Sequence, residues 1–323
     1  MESFETRIDL GGIKKTTDEL KAEIGKYIIG QHQTIDLLLI AMLADGHILL
    51  EGVPGVAKTL MAKLMAKTIN SKFRRIQFTP DLMPSDIIGT MVYNSKTGDF
   101  DFKRGPLFAN IVLTDEINRA PAKTQAALFE AMEERQITVD GTTHKLDKPF
   151  MVMATQNPIE QEGTYRLPEA QLDRFLFKIE VSYPKLEEEK QILKTFHEKK
   201  SVVDLDAIKS FLSPADIDKL RDIVQKVHVE ENLLGYIAQI VHETRSQTAI
   251  LLGASPRASL AIMSSAKACA TVRGRDFVSP DDIKYVTPHV LKHRIMLTPE
   301  KEMEGIHITD VINQVIEKIE IPR

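Results

Sequence analysis

The chain has 323 residues, with 42 Lys and Arg against 46 Asp and Glu and a formal net charge of −4. That length predicts about two domains with cores large enough to fold without staples. A content of 43% apolar and 27% charged residues excludes a disordered or collagen-like chain, and the balanced charge argues against a generic polyanion binder. Cys269 is the only cysteine, so neither an intramolecular disulfide nor a cysteine-based metal site is expected, and the reducing cytoplasm is the expected location.

Met1 to Leu20 carries Glu2, Glu5, Arg7, Asp9, Lys14 and Lys15 and lacks the apolar stretch of an export signal. The most apolar run, Ile35–Ala44, is about half the ~20 residues needed to cross a bilayer and contains Asp36. It predicts a buried helix, with no membrane insertion.

In chain order, short β-branched, Leu- or Phe-rich runs predict strands at His47–Glu51, Phe73–Thr79, Ile111–Thr114, Met151–Thr155 and Phe175–Val181. Between them, Thr59–Asn70 and Lys123–Glu134 have helical periodicity, and the alternation predicts parallel βαβ units. Two segments interrupt it. Met91–Phe102 alternates aromatic and polar residues around Lys96-Thr97-Gly98, and Arg135–Leu146 centres on Asp140-Gly141; both predict β-hairpins. Beyond Tyr183-Pro184 a charged run, Lys185–Lys200, predicts a solvated helix face. Ser213-Pro214, Ser255-Pro256 and Ser279-Pro280 then each predict a helix start within an all-helical second domain.

Gly52-Val53-Pro54-Gly55-Val56-Ala57-Lys58-Thr59 joins the first predicted strand to the helix that carries Leu60. A phosphate-binding loop needs small residues that turn N–H groups inward, a Lys for the β- and γ-phosphates and a hydroxyl for Mg²⁺, all at a helix N-terminus. Each part is present, although Ala57 replaces the usual last Gly; the alternative is a glycine-rich turn before an ordinary helix. Ile111-Val112-Leu113-Thr114 leads into Asp115 and Glu116, a pattern suited to a metal ligand followed by an activator of water. A strand with a merely polar exit is the alternative. Asn157, beyond the strand Met151–Thr155, could orient that water or could simply form a loop before Pro158. Arg174 and Arg257 are either surface cations or partners for phosphoryl charge, one of them supplied by a neighbouring subunit.

The segments FTPDLMPSDIIG, RGPLFANIVLTDEINRAPAKTQAALFEAMEERQITVDG, MVMATQNPIEQEGTYRLPEAQLDRFL and GASPRASL together resemble the MoxR family of AAA+ ATPases, in the branch with an insert in the second helix. The family's own loop is GxPGxAKT, which accommodates Ala57. The resemblance implies a P-loop NTPase fold: a five-stranded parallel α/β core with hairpin insertions, followed by an all-α lid. It divides the chain into an N-terminal helical segment at 1–25, a core at 26–190 and a lid at 191–323.

By the same resemblance, Gly52, Val53, Pro54, Gly55, Val56, Ala57, Lys58, Thr59 and Leu60 would bind ATP, and Ile29 and Gly30 would line the adenine pocket. Thr59 and Asp115 would hold Mg²⁺, with Glu116 as catalytic base. Asn157 is similar to sensor 1, Arg174 to the arginine finger acting on the adjacent subunit, and Arg257 to sensor 2. Arg166 stands where relatives have an uncharged residue and shares the candidacy for the finger. The hairpins resemble elements that face the pore of a hexameric ring.

The implied task is chaperone-like remodelling of a separate client protein, in some relatives one with a von Willebrand A domain. A motor on nucleic acid or a chelatase motor subunit is the alternative, against which the near-zero charge counts. A switch without turnover is opposed by the Asp115-Glu116 pair, and a GTPase by the lack of an Asn-Lys-x-Asp segment. His289 and His293, spaced i, i+4, are expected to be two polar positions of one helix and not a metal site.

Overall fold

The computed structural model describes residues 10–157, 165, 167–199 and 204–322. Helix α1 (Gly11–Gly25) leads to α2 (His32–Leu43), which buries every residue from Leu37 to Leu43. A helix apolar on all sides can only be interior. Strand β1 (His47–Glu51) feeds α3 (Lys58–Thr68), where Met61 and Met65 are fully buried. Strand β2 (Phe73–Gln77) and the short α4 (Pro84–Ile88) precede a hairpin of β3 (Gly89–Asn94) and β4 (Asp99–Arg104). This hairpin extends two residues beyond each end of the expected Met91–Phe102, because Gly89 and Arg104 pair outside the alternating stretch.

Strand β5 (Ile111–Asp115), α5 (Ala122–Glu134) and a second hairpin, β6 (Gln136–Val139) with β7 (Thr142–Lys145), follow. Asp140 and Gly141 turn that hairpin with positive φ at both positions, as a two-residue primed turn requires. Strands β8 (Met151–Gln156) and β9 (Phe175–Glu180) flank the short α6 (Glu169–Leu172).

The main sheet has the order β2-β5-β8-β1-β9, and every pairing is parallel. Strands β5, β8, β1 and β9 are buried on both faces, as helix-covered parallel strands must be, while the edge strand β2 exposes Arg74, Arg75 and Gln77. Ile48, Leu50, Leu113 and Met153 enter the core beneath α1, α2 and α3; Leu49, Val112, Val152 and Ala154 enter the one beneath α4 and α5. All five predicted strands are present. The hairpins lie outside the sheet and touch one another where Phe102 stacks on His144, with ring centroids 4.5 Å apart.

The charged run forms α7 (Leu186–Lys199), which leaves Leu193 and Phe196 exposed along with its charges. Because α7 passes unbroken through residue 190, we propose the division between core and lid within this segment and not at a chain break. The second unit contains α8 (Pro214–Lys226), α9 (Glu231–Ser246), α10 (Pro256–Val272), α11 (Pro280–Leu291), α12 (Pro299–Met303) and α13 (Ile308–Lys318). Ser213, Ser255 and Ser279 are the N-cap residues of α8, α10 and α11. Among the described residues this unit is helical apart from a short antiparallel pair, β10 (Ile250–Leu252) with β11 (Met296–Leu297), and a single bridge between His228 and Phe277.

The expectation of one helix face shared by His289 and His293 is corrected. Helix α11 ends at Leu291, so His293 lies in the following turn, where its buried Nε2 meets the Phe175 carbonyl at 2.9 Å. Burial pushes His289 down to about 4.

Asp282, fully buried, ties this unit together. One carboxylate oxygen accepts from Arg273 at 2.8 Å and Arg275 at 2.6 Å, and the other accepts from the Ser279 backbone and hydroxyl, both at 2.9 Å. Removing one partner of a buried charge cluster leaves the others unpaired. Asp282→Ala is therefore expected to cost about 3–5 kcal/mol, read as a lowered urea midpoint.

A candidate nucleotide site at the carboxyl ends of the strands

The loop between β1 and α3 is built by close approach. Gly52 donates its N–H to the Gln156 carbonyl at 3.3 Å, and a Cβ at Gly52 would stand 2.5 Å from the Val181 carbonyl oxygen. Gly55 has φ +88° and Ala57 φ +60°. The left-handed conformation of Ala57 costs about 1 kcal/mol where glycine would not pay it, so the sequence departure sits at a strained position of the loop. The N-terminus of α3 has no side-chain cap among the described residues and no acid in its first turn. Bare N–H groups there favour an anion.

Lys58 Nζ donates to the Gly52 carbonyl at 2.5 Å. Burial pushes its ammonium down from the usual range, and the nearby carboxylates of Asp115, Glu116 and Glu51 oppose that fall. The structure thus brings Lys58, Asp115 and Glu116 together at one end of the sheet.

Asp115 ends β5 and is 7% exposed. Its Oδ1 accepts from Thr155 Oγ1 at 3.0 Å and its Oδ2 from Arg75 Nε at 2.5 Å. Glu116 has φ +58°, an uncommon conformation outside glycine and one that concentrates at functional sites. Its backbone N–H donates to the same Thr155 hydroxyl at 3.0 Å. Its Oε2 accepts from Gln77 Nε2 at 2.9 Å and pairs with Arg119 Nε at 3.1 Å. Sequence reasoning missed Arg75, Gln77, Arg119 and Thr155. Gln77 and Thr155 carry no motif, and only the register Gln77↔Asp115 and the order β2-β5-β8 place them beside the acids.

Thr59 follows Lys58 on the first turn of α3 and, with Asp115, offers hydroxyl and carboxylate oxygens, the hard donors that Mg²⁺ accepts alongside several waters. The buried Asp115, already aligned by Thr155, suits that role. Asn157, 9% exposed, lies one residue beyond Gln156, the register partner of Glu51. Ile29 and Gly30 precede Gln31, whose Nε2 donates to the Ser182 carbonyl at 3.0 Å, so they lie beside the strand exit that contacts Gly52. Arg166 lies outside the described residues.

The two arginines lie elsewhere. Arg174 immediately precedes β9, at the register level of His47, the start of β1. Its Nη1 donates to the Phe129 carbonyl at 2.7 Å and pairs with Glu133 at 3.2 Å. Arg257, in the first turn of α10 and 66% exposed, has Nη1 3.9 Å from Asp173. The structure therefore does not bring Arg174 to its own loop: roughly 15 Å of strand separates the two levels.

A strand–loop–helix of this kind, with two acids at the end of β5 one strand away across β8, defines a P-loop ATPase core. A family model described as "ATPase family associated with various cellular activities (AAA)" matches residues 47–177, and one described as "AAA lid domain" matches 242–315. The chain is 46% identical to "Chaperone MoxR1" of Mycobacterium tuberculosis, over 93% of this chain and 81% of that one. It is 48% identical to "Uncharacterized protein YeaC" of Bacillus subtilis, over 93% and 92%. The crystal structure of a Cytophaga hutchinsonii protein assigned as an ATPase superposes with a TM-score of 0.89 at 44% identity, covering 97% of each chain. The chain belongs to the MoxR family of AAA+ ATPases.

Thr155 generates a specific expectation. Thr155→Val deletes the hydroxyl that serves both Asp115 and the Glu116 N–H, while the loop around Lys58 is untouched. kcat should fall about tenfold or more, while ATP still raises the melting temperature as it does for the wild type.

Proposed function

We propose that this ATPase works as a ring, most simply a hexamer, in which each chain binds ATP and Mg²⁺ and the neighbouring chain completes the catalytic site. The separation of Arg174 from Lys58 within one chain carries this reading, and Arg257 stands beside it with Nη1 3.9 Å from Asp173. Transition-state charge on the transferred phosphoryl group is best met by cations fixed around it, and these two can meet it only across a subunit boundary.

In this mechanism the N-terminal amides of α3 and the Lys58 ammonium cradle the phosphates. Mg²⁺ held by Thr59 and Asp115 would neutralise charge on the β- and γ-oxygens. Ile29 and Gly30 line the base. Glu116 accepts the proton of the attacking water, Asn157 orients that water, and the neighbour's Arg174 and Arg257 stabilise the departing charge. Thr155 fixes the strained backbone of Glu116, which keeps its carboxylate at the strand end and costs no reorganisation during reaction.

The work done with that energy is remodelling of a separate protein client. The hairpin β3–β4 supports this: Val92, Tyr93 and Phe100 are exposed, and Tyr93 and Phe100 form an edge-to-face pair 5.4 Å apart. Exposed aromatic surface of this kind suits an extended polypeptide better than a phosphate backbone. A client containing a von Willebrand A domain is the specific candidate, and no nucleic acid is required.

Arg174→Ala should bind ATP normally and lose turnover by about 10³-fold or more. Turnover should return in part when those chains are mixed with Glu116→Gln chains, which cannot hydrolyse but still offer Arg174. A wild-type rate in Arg174→Ala contradicts the assignment. Glu116→Gln should retain ATP and hold its client through a pull-down, and Tyr93→Ser with Phe100→Ser should abolish that capture at unchanged basal hydrolysis.

A further inference from the structure

Asp173, inside the family-like run LPEAQLDRFL but given no role there, and Arg294, outside every such run, enclose the segment that presents Arg174. Arg294 follows α11 and is only 5% exposed. Its Nε donates to Asp173 Oδ1 at 2.6 Å, and its Nη2 to the Asp173 and Phe175 carbonyls at 2.9 and 2.7 Å. Its Nη1 donates to the Leu176 carbonyl at 3.1 Å and the Val290 carbonyl at 2.6 Å. The carbonyls on both sides of Arg174 are thus held by one guanidinium from the lid. The other oxygen of Asp173 faces Arg257 Nη1 at 3.9 Å. Two arginines therefore share one carboxylate that is 18% exposed: Arg294, which also holds the backbone on both sides of Arg174, and Arg257, assigned above to the neighbour's nucleotide.

A plain tie between lid and core would need only Arg294 and the carbonyls. Sharing the carboxylate with an exposed arginine on a different helix is additional. We infer that Asp173 and Arg294 are positioning residues that hold Arg174 and Arg257 as a single unit for the nucleotide of the adjacent chain. The inference rests on the trans reading of those two arginines. Its physical content is preorganisation: a cation whose backbone and neighbour are fixed before the reaction gives more to the transition state than one that must first be ordered. It also couples lid to finger, because a lid rotation that moves Arg294 moves the backbone of Arg174 with it.

The test uses Asp173→Asn, which keeps an oxygen for Arg294 and removes the charge facing Arg257. kcat should fall about tenfold or more, with KM for ATP changed by less than about threefold; the melting temperature falls as well, because the buried Arg294 loses its counter-charge, so rescue by a neighbouring chain is the deciding readout. Mixed with excess Glu116→Gln chains, whose Asp173, Arg174 and Arg257 are intact, Asp173→Asn chains should recover turnover as Arg174→Ala and Arg257→Ala chains do. A tie that served only its own chain would not be rescued by a neighbour. Wild-type turnover of Asp173→Asn, or failure to recover where Arg174→Ala recovers, overturns the inference and leaves the trans reading intact. Failure of Arg174→Ala itself to recover overturns the trans reading, and the inference with it. Arg294→Lys retains the cation but cannot span the same carbonyls, and it gives the same comparison should Asp173→Asn fold poorly.

Discussion

Because all five strands of the main sheet run in the same direction, everything that follows a strand lies at one end and everything that precedes one lies at the other. Lys58, Asp115, Glu116 and Asn157 all follow strands. Arg174 precedes one. A parallel sheet buried on both faces allows no register slip that would change this, since moving a strand by one residue exchanges the side chains of its two cores. The strand direction therefore gathers the phosphate-binding and water-activating groups and keeps the candidate finger away from them. In the proposed mechanism, an assembly is what removes that separation.

At the gathered end, the geometry of the acids is set by a few uncharged contacts. The Thr155 hydroxyl accepts from the Glu116 N–H and donates to Asp115, so one small side chain on β8 serves the last residue of β5 and the one after it. Gln77, on the opposite neighbouring strand, reaches Glu116 from the other side. Glu116 needs such support because its positive φ is unfavourable for a residue with a Cβ. At the distant end a charged cluster plays the equivalent part, with Arg294 and Asp173 fixing backbone and side chains around Arg174. Two rigid half-sites on one chain are the expected form for a catalytic centre completed between chains.

Much of this was legible in the sequence for local reasons. Strands such as Ile111–Asp115 are continuous apolar runs between polar boundaries, and Ser-Pro pairs fix φ and cap geometry where α8, α10 and α11 begin. The loop 52–59 was readable because its chemistry needs residue types in a fixed order. Thr155 and Gln77 were not readable, because a Thr near a strand end and a Gln on an edge strand acquire meaning only from strand order. Arg294 was hidden for the same reason: its partners Asp173, Phe175 and Leu176 are about 120 residues away in sequence, brought close only when the lid packs on β9. The reading of His289 and His293 failed because spacing alone carried the helix past Leu291, where the structure ends it.

The central claim, that one chain holds only half of its catalytic machinery, is tested most directly by ATP turnover per chain across a dilution series, with assembly mass followed by light scattering in the same samples. The account predicts that turnover per chain falls together with the assembled fraction, reaching background in dissociated chains that still bind ATP. A dissociated single chain that hydrolyses ATP at the full assembled rate would contradict it.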